Sequence, residues 1–461
     1  MKALHDPALA LGQGLAAIRA QFKVPDHFPP EVDAAAAQSA RRTPGEHADR
    51  TAMPFVTLDP ASSTDLDQAF TIEAAGNDLL LHYAIADVAW FVADGDPVDT
   101  EAWQRGETFY LPDGKAGLYP RVLAEGAASL LPDGPRPAVI FTTRVAPDGT
   151  VKLDCAERAV IRSRAKLAYD AVRDDQLPDG FIELGDRVAR AEAARGAARV
   201  DPPEQEVERD AAGHYTLRFR PIAISETRNA ALSLATNMAV ADALYAAKTG
   251  LFRVMAEPDA GAVARLRHTA RAFGLDWPQS QGLKDYEAGL DPRDPAQAAF
   301  MLAIRRAGNG ASYVPFKADV KPWHAAMAAT YAHATAPLRR LADRYVVRAA
   351  LAVANGQPVP AAVESAFQKL GPVMGKADAR AGQIERAVVD LAETEVLAGQ
   401  EGQSFAAMVT DLGEAGARIQ LCDLPVVART VARSVTPGEK ITVRLDRADP
   451  VRRELAFSRI A

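Results

Sequence analysis

An α+β protein is predicted, with a mixed α/β core, a C-terminal five-stranded β-barrel and a short N-terminal helical segment. Three observations predict it. Residues 55–145 read as strand-like runs separated by turns, and residues 187–397 carry mostly helical periodicity. After Gly399 the chain returns to short alternating strands punctuated by Gly, Pro and Asp.

Taken in order, Leu11, Leu15, Ile18 and Phe22 recur every three or four residues and predict a helix over residues 9–22. Pro25 and Pro29-Pro30 break it, and a second helix is expected over residues 31–41, with prolines at its start. Two helices about a turn suit a helix-turn-helix and suit equally a pedestal for the neighbouring domain. Strands are expected at residues 55–58, 79–86 and 138–145, the last ended by Pro147-Asp148-Gly149. Helices are expected at residues 230–247, 297–307, 338–354 and 383–397. Strands at residues 404–411, 417–422, 440–446 and 454–458 suggest a small barrel of the OB type. The expected division is therefore a helical segment 1–50, a catalytic-sized domain 51–397 and a barrel 399–461.

Composition narrows the function classes. With 461 residues and 48% hydrophobic side chains, the chain can bury a large core without disulfides or structural metals. Cys155 and Cys422 have no Cys or His partner at zinc-finger spacing, so free thiols in a reducing compartment are expected. Neither a secretory signal nor an apolar run of about 20 residues is seen, so the expected location is cytoplasmic, with no membrane partner. A net charge of −7 argues mildly against a nucleic-acid binder, but the distribution of charge matters more than its sum.

The most informative segment is residues 55–70. An apolar strand runs into Asp59; a loop of small polar residues then leads to Asp65, Asp67 and Gln68. In extended chain, Asp65 and Asp67 point the same way, and a loop folding back on Asp59 gathers three carboxylates. Crowded carboxylates repel and call for a cation. Oxygen donors without His or Cys favour magnesium, or manganese in its stead, over zinc. The bland alternative is a solvated Asp-rich turn opened by Asp59-Pro60. An EF-hand fails because its Gly and terminal Glu are missing.

The segment resembles the signature of the ribonuclease II/ribonuclease R (RNB) family, in which a Thr-Ile-Asp strand leads to an Asp-x-Asp-Asp cluster. Further matches come in that family's order. Residues 83–88 resemble its second core strand. Phe109-Tyr110-Leu111-Pro112 and Tyr119-Pro120-Arg121 resemble its Tyr-Leu-Pro and Leu-Pro-Arg blocks, and residues 161–169 its Ser-x-Ala-Lys-Leu-x-Tyr helix. Residues 331–340, with Asp343 and Arg348, resemble its Thr-Ser-Pro-Ile-Arg-Arg-Tyr motif, and Glu385-Arg386 its late Glu-Arg pair. The barrel is similar to the S1-type RNA-binding OB fold.

The resemblance implies a 3′-to-5′ hydrolytic exoribonuclease that releases nucleoside 5′-monophosphates with Mg2+ (or Mn2+). Its implied partner is single-stranded RNA, with structured RNA bearing a 3′ overhang as a further class; it implies no protein partner. It further implies metal ligation by Asp59, Asp65, Asp67 and Gln68, with Arg339 on the scissile phosphate. Tyr110, Phe252, Arg340 and Glu385 are the implied substrate contacts, Tyr110 helping to set the final product length. Two departures matter. Gln68 stands where the family usually has Asp, and Ala230-Ala231 where it has a Glu-Glu pair. Gln68 leaves open an alternative, a catalytically weakened RNA-binding protein of the same fold. Only 58 residues precede Asp59, so paired cold-shock barrels are not expected there, and a less enclosed RNA entrance is.

Pro337 suggests that Arg339 and Arg340 occupy a first helical turn, an anion-friendly place. Arg158, Arg162, Arg164 and Lys166, and then Arg339, Arg340, Arg344 and Arg348, form two local basic stretches that could line an RNA track. His333 has no second His at ligand spacing and is read as a packing residue, as Phe405 and Phe457 are read as barrel core.

Overall fold

The structure is a computed structural model that describes residues 10–197, 204–209, 215–220, 222–291, 294–308, 310–413, 416–431 and 435–460. Its centre is a seven-stranded sheet. The strands run in the order Ala48–Asp49, Val151–Ile161, Arg136–Val145, Asp78–Ala86, Gln68–Ala75, Val56–Asp59 and Ala165–Ala168. The four long strands form an antiparallel meander, whereas Val56–Asp59 pairs in parallel with Ala165–Ala168. That last pairing corrects the helix expected over residues 161–169. The segment's hydrogen bonds go sideways into the sheet, with Asp59 opposite Ala168.

One helix, Ile224–Ala246, packs against this sheet beside helices Phe181–Ala194 and Leu341–Ala354. Its small and aliphatic residues Ala231, Leu232, Ala235, Ala239 and Val240 are buried, which lets its backbone approach the strands closely. Helix Ala361–Leu397 runs for 37 residues, roughly 55 Å at 1.5 Å per residue. The N-terminal helix Ala10–Gln21 lies on it through Leu11, Leu15 and Ile18 against Ile384, Ala387, Val388 and Leu391. Gly14 makes the approach possible, since a Cβ there would sit 2.6 Å from Leu391.

The C-terminal unit is a closed barrel of strands Ser404–Gly413, Gly416–Leu421, Val427–Thr430, Glu454–Arg459 and Lys440–Asp449. Val409, Ile419, Val443, Leu445 and Phe457 fill it, and Phe405 meets Phe457 edge-on, so both aromatics belong to its interior. The short strand Val427–Thr430 is the one barrel strand that the alternation did not single out. Four residues leave little periodicity to read.

The barrel is tied to the long helix by Glu393, a buried carboxylate that accepts hydrogen bonds from the Val427 amide and the Gln205 side chain, both at 2.7 Å. Burial pushes its pKa up to about 7. A folded-state value above the unfolded one means that stability falls as pH rises from about 4.5 to about 7, then stays level. Glu393→Gln keeps an acceptor and removes the buried charge. It is expected to stabilise the protein by on the order of 2–3 kcal/mol at pH 8, with the gain vanishing below about pH 4.5. Thermal melts of both proteins across that range check this.

A candidate active site at the edge of the sheet

Asp59 ends its strand and Gln68 begins the neighbouring antiparallel one, so the loop between them must turn back at the strand ends. Ser129 fastens that loop: its hydroxyl donates to the Thr64 carbonyl at 2.7 Å and accepts from the Leu66 amide at 2.9 Å. Leu66 is fully buried, which anchors the loop between Asp65 and Asp67.

The carboxylates converge electrostatically. Burial pushes Asp59 up to about 7 and Asp67 up to about 8, the Asp65 charge adds to both shifts, and Arg339 opposes both. Asp67 is 5% exposed and accepts from the Leu338 amide at 2.6 Å, with Arg339 Nε 3.6 Å from its other oxygen. Asp59 Oδ2 is buried without a hydrogen-bond partner. Asp65 instead receives Lys115 Nζ at 2.6 Å and the Tyr110 hydroxyl at 3.3 Å. Gln68 Oε1 accepts the Tyr83 hydroxyl at 2.7 Å and the Ser233 hydroxyl at 3.3 Å.

Arg339 and Arg340 close a single turn, their amides donating to the Ala336 carbonyl at 3.2 and 2.9 Å, but the turn does not open a helix because Arg340 is extended. Helix Leu341–Ala354 begins after them, with Arg340 at its N-cap. The turn before it is fixed from outside, since Asp67 takes the Leu338 amide and Asp343 takes the Ala336 amide. Arg339 is thereby presented beside the carboxylates, its guanidinium about half exposed. Arg340 is largely covered and forms a two-pronged pair with Asp343 at 2.8 and 2.9 Å.

Tyr110 is exposed on the hairpin Phe109–Leu111/Gly114–Ala116 and stands next to Asp65. Glu385 is exposed on the long helix and takes no part in this hydrogen-bonded network. Phe252 is 0% exposed and meets Tyr245 edge-on, so its ring has no face open to a base. His333 is half-buried, with Nδ1 2.7 Å from the Tyr313 hydroxyl, and desolvation pushes its pKa well down, leaving it a neutral packing residue. The basic stretches are mostly tied internally: Arg158 to Asp87, Arg344 to Asp99, Arg348 to Asp94, and Lys166 to the Ala61 carbonyl.

Sequence reading missed a polar stripe. Ser225, Asn229, Ser233 and Asn237 recur every four residues along helix Ile224–Ala246 and hold Tyr169, the Leu58 carbonyl, Gln68 and Tyr331. The regular spacing in an otherwise apolar helix was the available signal. Asn229, Ser233 and Asn237 line a cavity of about 300 Å3 with Gln68, Arg339 and Arg340.

Among the described residues, no three His, Cys, Asp or Glu side chains stand at metal-ligand spacing. The donor chemistry nevertheless fits a hard divalent cation. One buried carboxylate oxygen is orphaned, and burial pushes up the carboxyls of Asp59 and Asp67 against the opposing charge of Arg339.

Comparison with known proteins gives the family and the fold. The RNB domain matches residues 48–355, and the RNase II-type exonuclease C-terminal S1 domain matches residues 403–460. Ribonuclease R of Aquifex aeolicus is 26% identical over 413 residues, covering 84% of this chain and 57% of that protein. Exoribonuclease 2 of Salmonella typhimurium is 28% identical over 412 residues, covering 83% of this chain and 62% of its own. The chain thus spans less than two thirds of the length of either relative. In fold it is similar to Mycoplasma genitalium RNase R, solved in complex with ribose-methylated single-stranded RNA. That likeness has a TM-score of 0.86 at 19% identity and covers 100% of this chain and 79% of that one. Sequence match, sheet, helices and terminal barrel together place the chain in the RNB family of exoribonucleases, with an RNase II-type S1 domain at its C-terminal end.

Proposed function

We propose that this protein hydrolyses RNA from its 3′ end, releasing nucleoside 5′-monophosphates at a magnesium site formed around Asp59 and Asp67. The observation that carries the reading is that Asp65 and Arg339 act on both Asp59 and Asp67 at adjoining strand ends, with a buried Asp59 oxygen left unpaired. A divalent cation supplies, when bound, neutralisation of the anionic phosphodiester and a lowered pKa for water. Asp59 and Asp67 offer it hard oxygen donors, and Asp65 stands beside them under Lys115. Gln68 can join only by giving up the Tyr83 hydroxyl. Arg339 can fork onto two phosphate oxygens as charge builds there.

Single-stranded RNA is the proposed substrate, and structured RNA with a 3′ overhang a further class. Arg340 and Glu385 are proposed contacts near the 3′ end; a stacking role for Phe252 requires its ring to be uncovered first. The proposed division of labour keeps residues 1–50 as a pedestal or helix-turn-helix, 51–397 as the catalytic unit and 399–461 as an RNA-holding barrel. A cytoplasmic setting is in keeping with two exposed free thiols, Cys155 and Cys422.

The test is a time course on a 5′-labelled oligoribonucleotide with magnesium or with EDTA, beside a DNA oligomer. Laddering to a short 5′ fragment, abolished by EDTA and weak on DNA, is expected. An intact but retarded band instead identifies an RNA-binding protein that has lost catalysis, the reading that Gln68 favours. Comparable cleavage of DNA identifies a general phosphodiesterase.

Tyr110 gives a second expectation. Its exposed ring beside Asp65 is placed to stack on the RNA end. Tyr110→Ala should weaken the hold on the shortest products by about 1–3 kcal/mol and lengthen the final fragment. Sizing the limit product on a sequencing gel decides it; an unchanged length excludes the stacking role.

A further inference from the structure

The four positions of the acidic motif fall into two unlike pairs. Asp59 has a buried oxygen with no partner, and Asp67 faces one backbone amide and the flank of Arg339. Asp65 and Gln68 are already engaged. Both oxygens of Asp65 receive protein donors, Oδ1 from Lys115 and Oδ2 from Tyr110, two residues paired directly across the small hairpin. The carbonyl oxygen of Gln68 takes the Tyr83 hydroxyl at 2.7 Å, and the Ser233 hydroxyl lies 2.7 Å from that Tyr83 oxygen and 3.3 Å from Gln68, so Gln68 belongs to a closed three-membered polar cluster.

Lys115 is more than an incidental surface cation. Its ammonium also lies 3.3 Å from Glu125 and 3.4 Å from the Thr64 hydroxyl, and its side chain is only 24% exposed. A divalent ion reaching Asp65 from this side has to displace that ammonium or sit against it, an unfavourable approach of like charges in a partly desolvated place. A divalent ion reaching Gln68 gains no charge there and must expel a hydroxyl donor.

We infer that this site holds a single divalent cation, on Asp59 and Asp67, and that the Lys115 ammonium occupies Asp65 in the place of a second one. Lys115 is then a positioning residue: it fixes Asp65 and the Tyr110 hairpin while carrying the positive charge that another ion would bring. The inference rests on the metal-carboxylate reading above, and metal counting separates the two.

The experiment is a titration of the full chain with Mn2+ alone, followed by electron paramagnetic resonance of free and bound ion, which needs no turnover. The wild type is expected to bind one Mn2+ per chain, and Lys115→Arg the same. The double variant Lys115→Met/Gln68→Asp, which empties the position and restores a carboxylate, is expected to bind two. Two ions in the wild type overturn the inference and leave the metal site standing; none in the wild type overturns both. One ion in a double variant with a native melting curve also overturns it. If that variant does not fold, the wild-type count decides alone.

Discussion

Asp67→Asn is expected to lower hydrolysis by on the order of 10³-fold or more while leaving RNA affinity within about threefold. The geometry explains why the loss should be confined to chemistry. Asp67 holds the Leu338 amide at 2.6 Å, and an Asn side-chain oxygen can accept that same bond, so the segment presenting Arg339 keeps its place. What disappears is a buried negative charge facing the Arg339 guanidinium and acted on by Asp65. The substitution should also stabilise the metal-free protein. With Asp67 pushed up to about 8, stability drains away as pH rises from about 4 to about 8, and Asn removes that drain. Ladder assays, gel shifts and melts in EDTA at pH 8 give the three readings. Hydrolysis retained above about a tenth of wild type removes Asp67 from the metal site.

Much of this architecture was legible in the chain because its elements are long and their periods clean. Two meander strands, Asp78–Ala86 and Arg136–Val145, and helix Ile224–Ala246 stand close to where alternation and helical spacing put them, and the barrel is signalled by its turns, whereas Gln68–Ala75 and Val151–Ile161 were not singled out. The failures share a physical cause. The strand Ala165–Ala168 has too few residues to declare a period and is made by a partner, Val56–Asp59, that lies more than a hundred residues away. The start of helix Leu341–Ala354 was misplaced because Arg340 is extended and pairs with Glu107 from a distant segment, with the Leu341 amide donating to the Gly106 carbonyl. At the site, the Asp motif and Arg339 could be named from the sequence, since those residue types carry the chemistry. Lys115 and Ser233 could not, because a Lys in a hairpin and a Ser in a helix acquire meaning only from Asp65 and Gln68 across the fold. The basic stretches show the converse. Arg344 looked like RNA-facing charge, yet it is 1% exposed and bound to Asp99.

Arg339→Lys should lower kcat by about 10²–10³-fold with less than about tenfold change in KM. The backbone at this residue is pinned, since its carbonyl accepts the Thr108 amide at 3.0 Å, so the variant alters the head group and little else. Lysine keeps one positive charge but loses the planar fork, and the loss therefore measures two-oxygen recognition of the phosphate as charge accumulates. Arg339→Ala is the instructive companion. The Arg339 charge holds both Asp59 and Asp67 below the values that burial alone would set. Without it both carboxyls rise further, and because they must be ionised to take a metal, ion affinity should fade at a higher pH than in the wild type. Lysine should leave that pH dependence close to wild type. Mn2+ affinity measured from pH 6 to 9 separates the two roles: a shift in Ala but not Lys assigns the charge to the carboxylates and the fork to the substrate. Equal metal-binding profiles in all three proteins would show that Arg339 serves the phosphate alone.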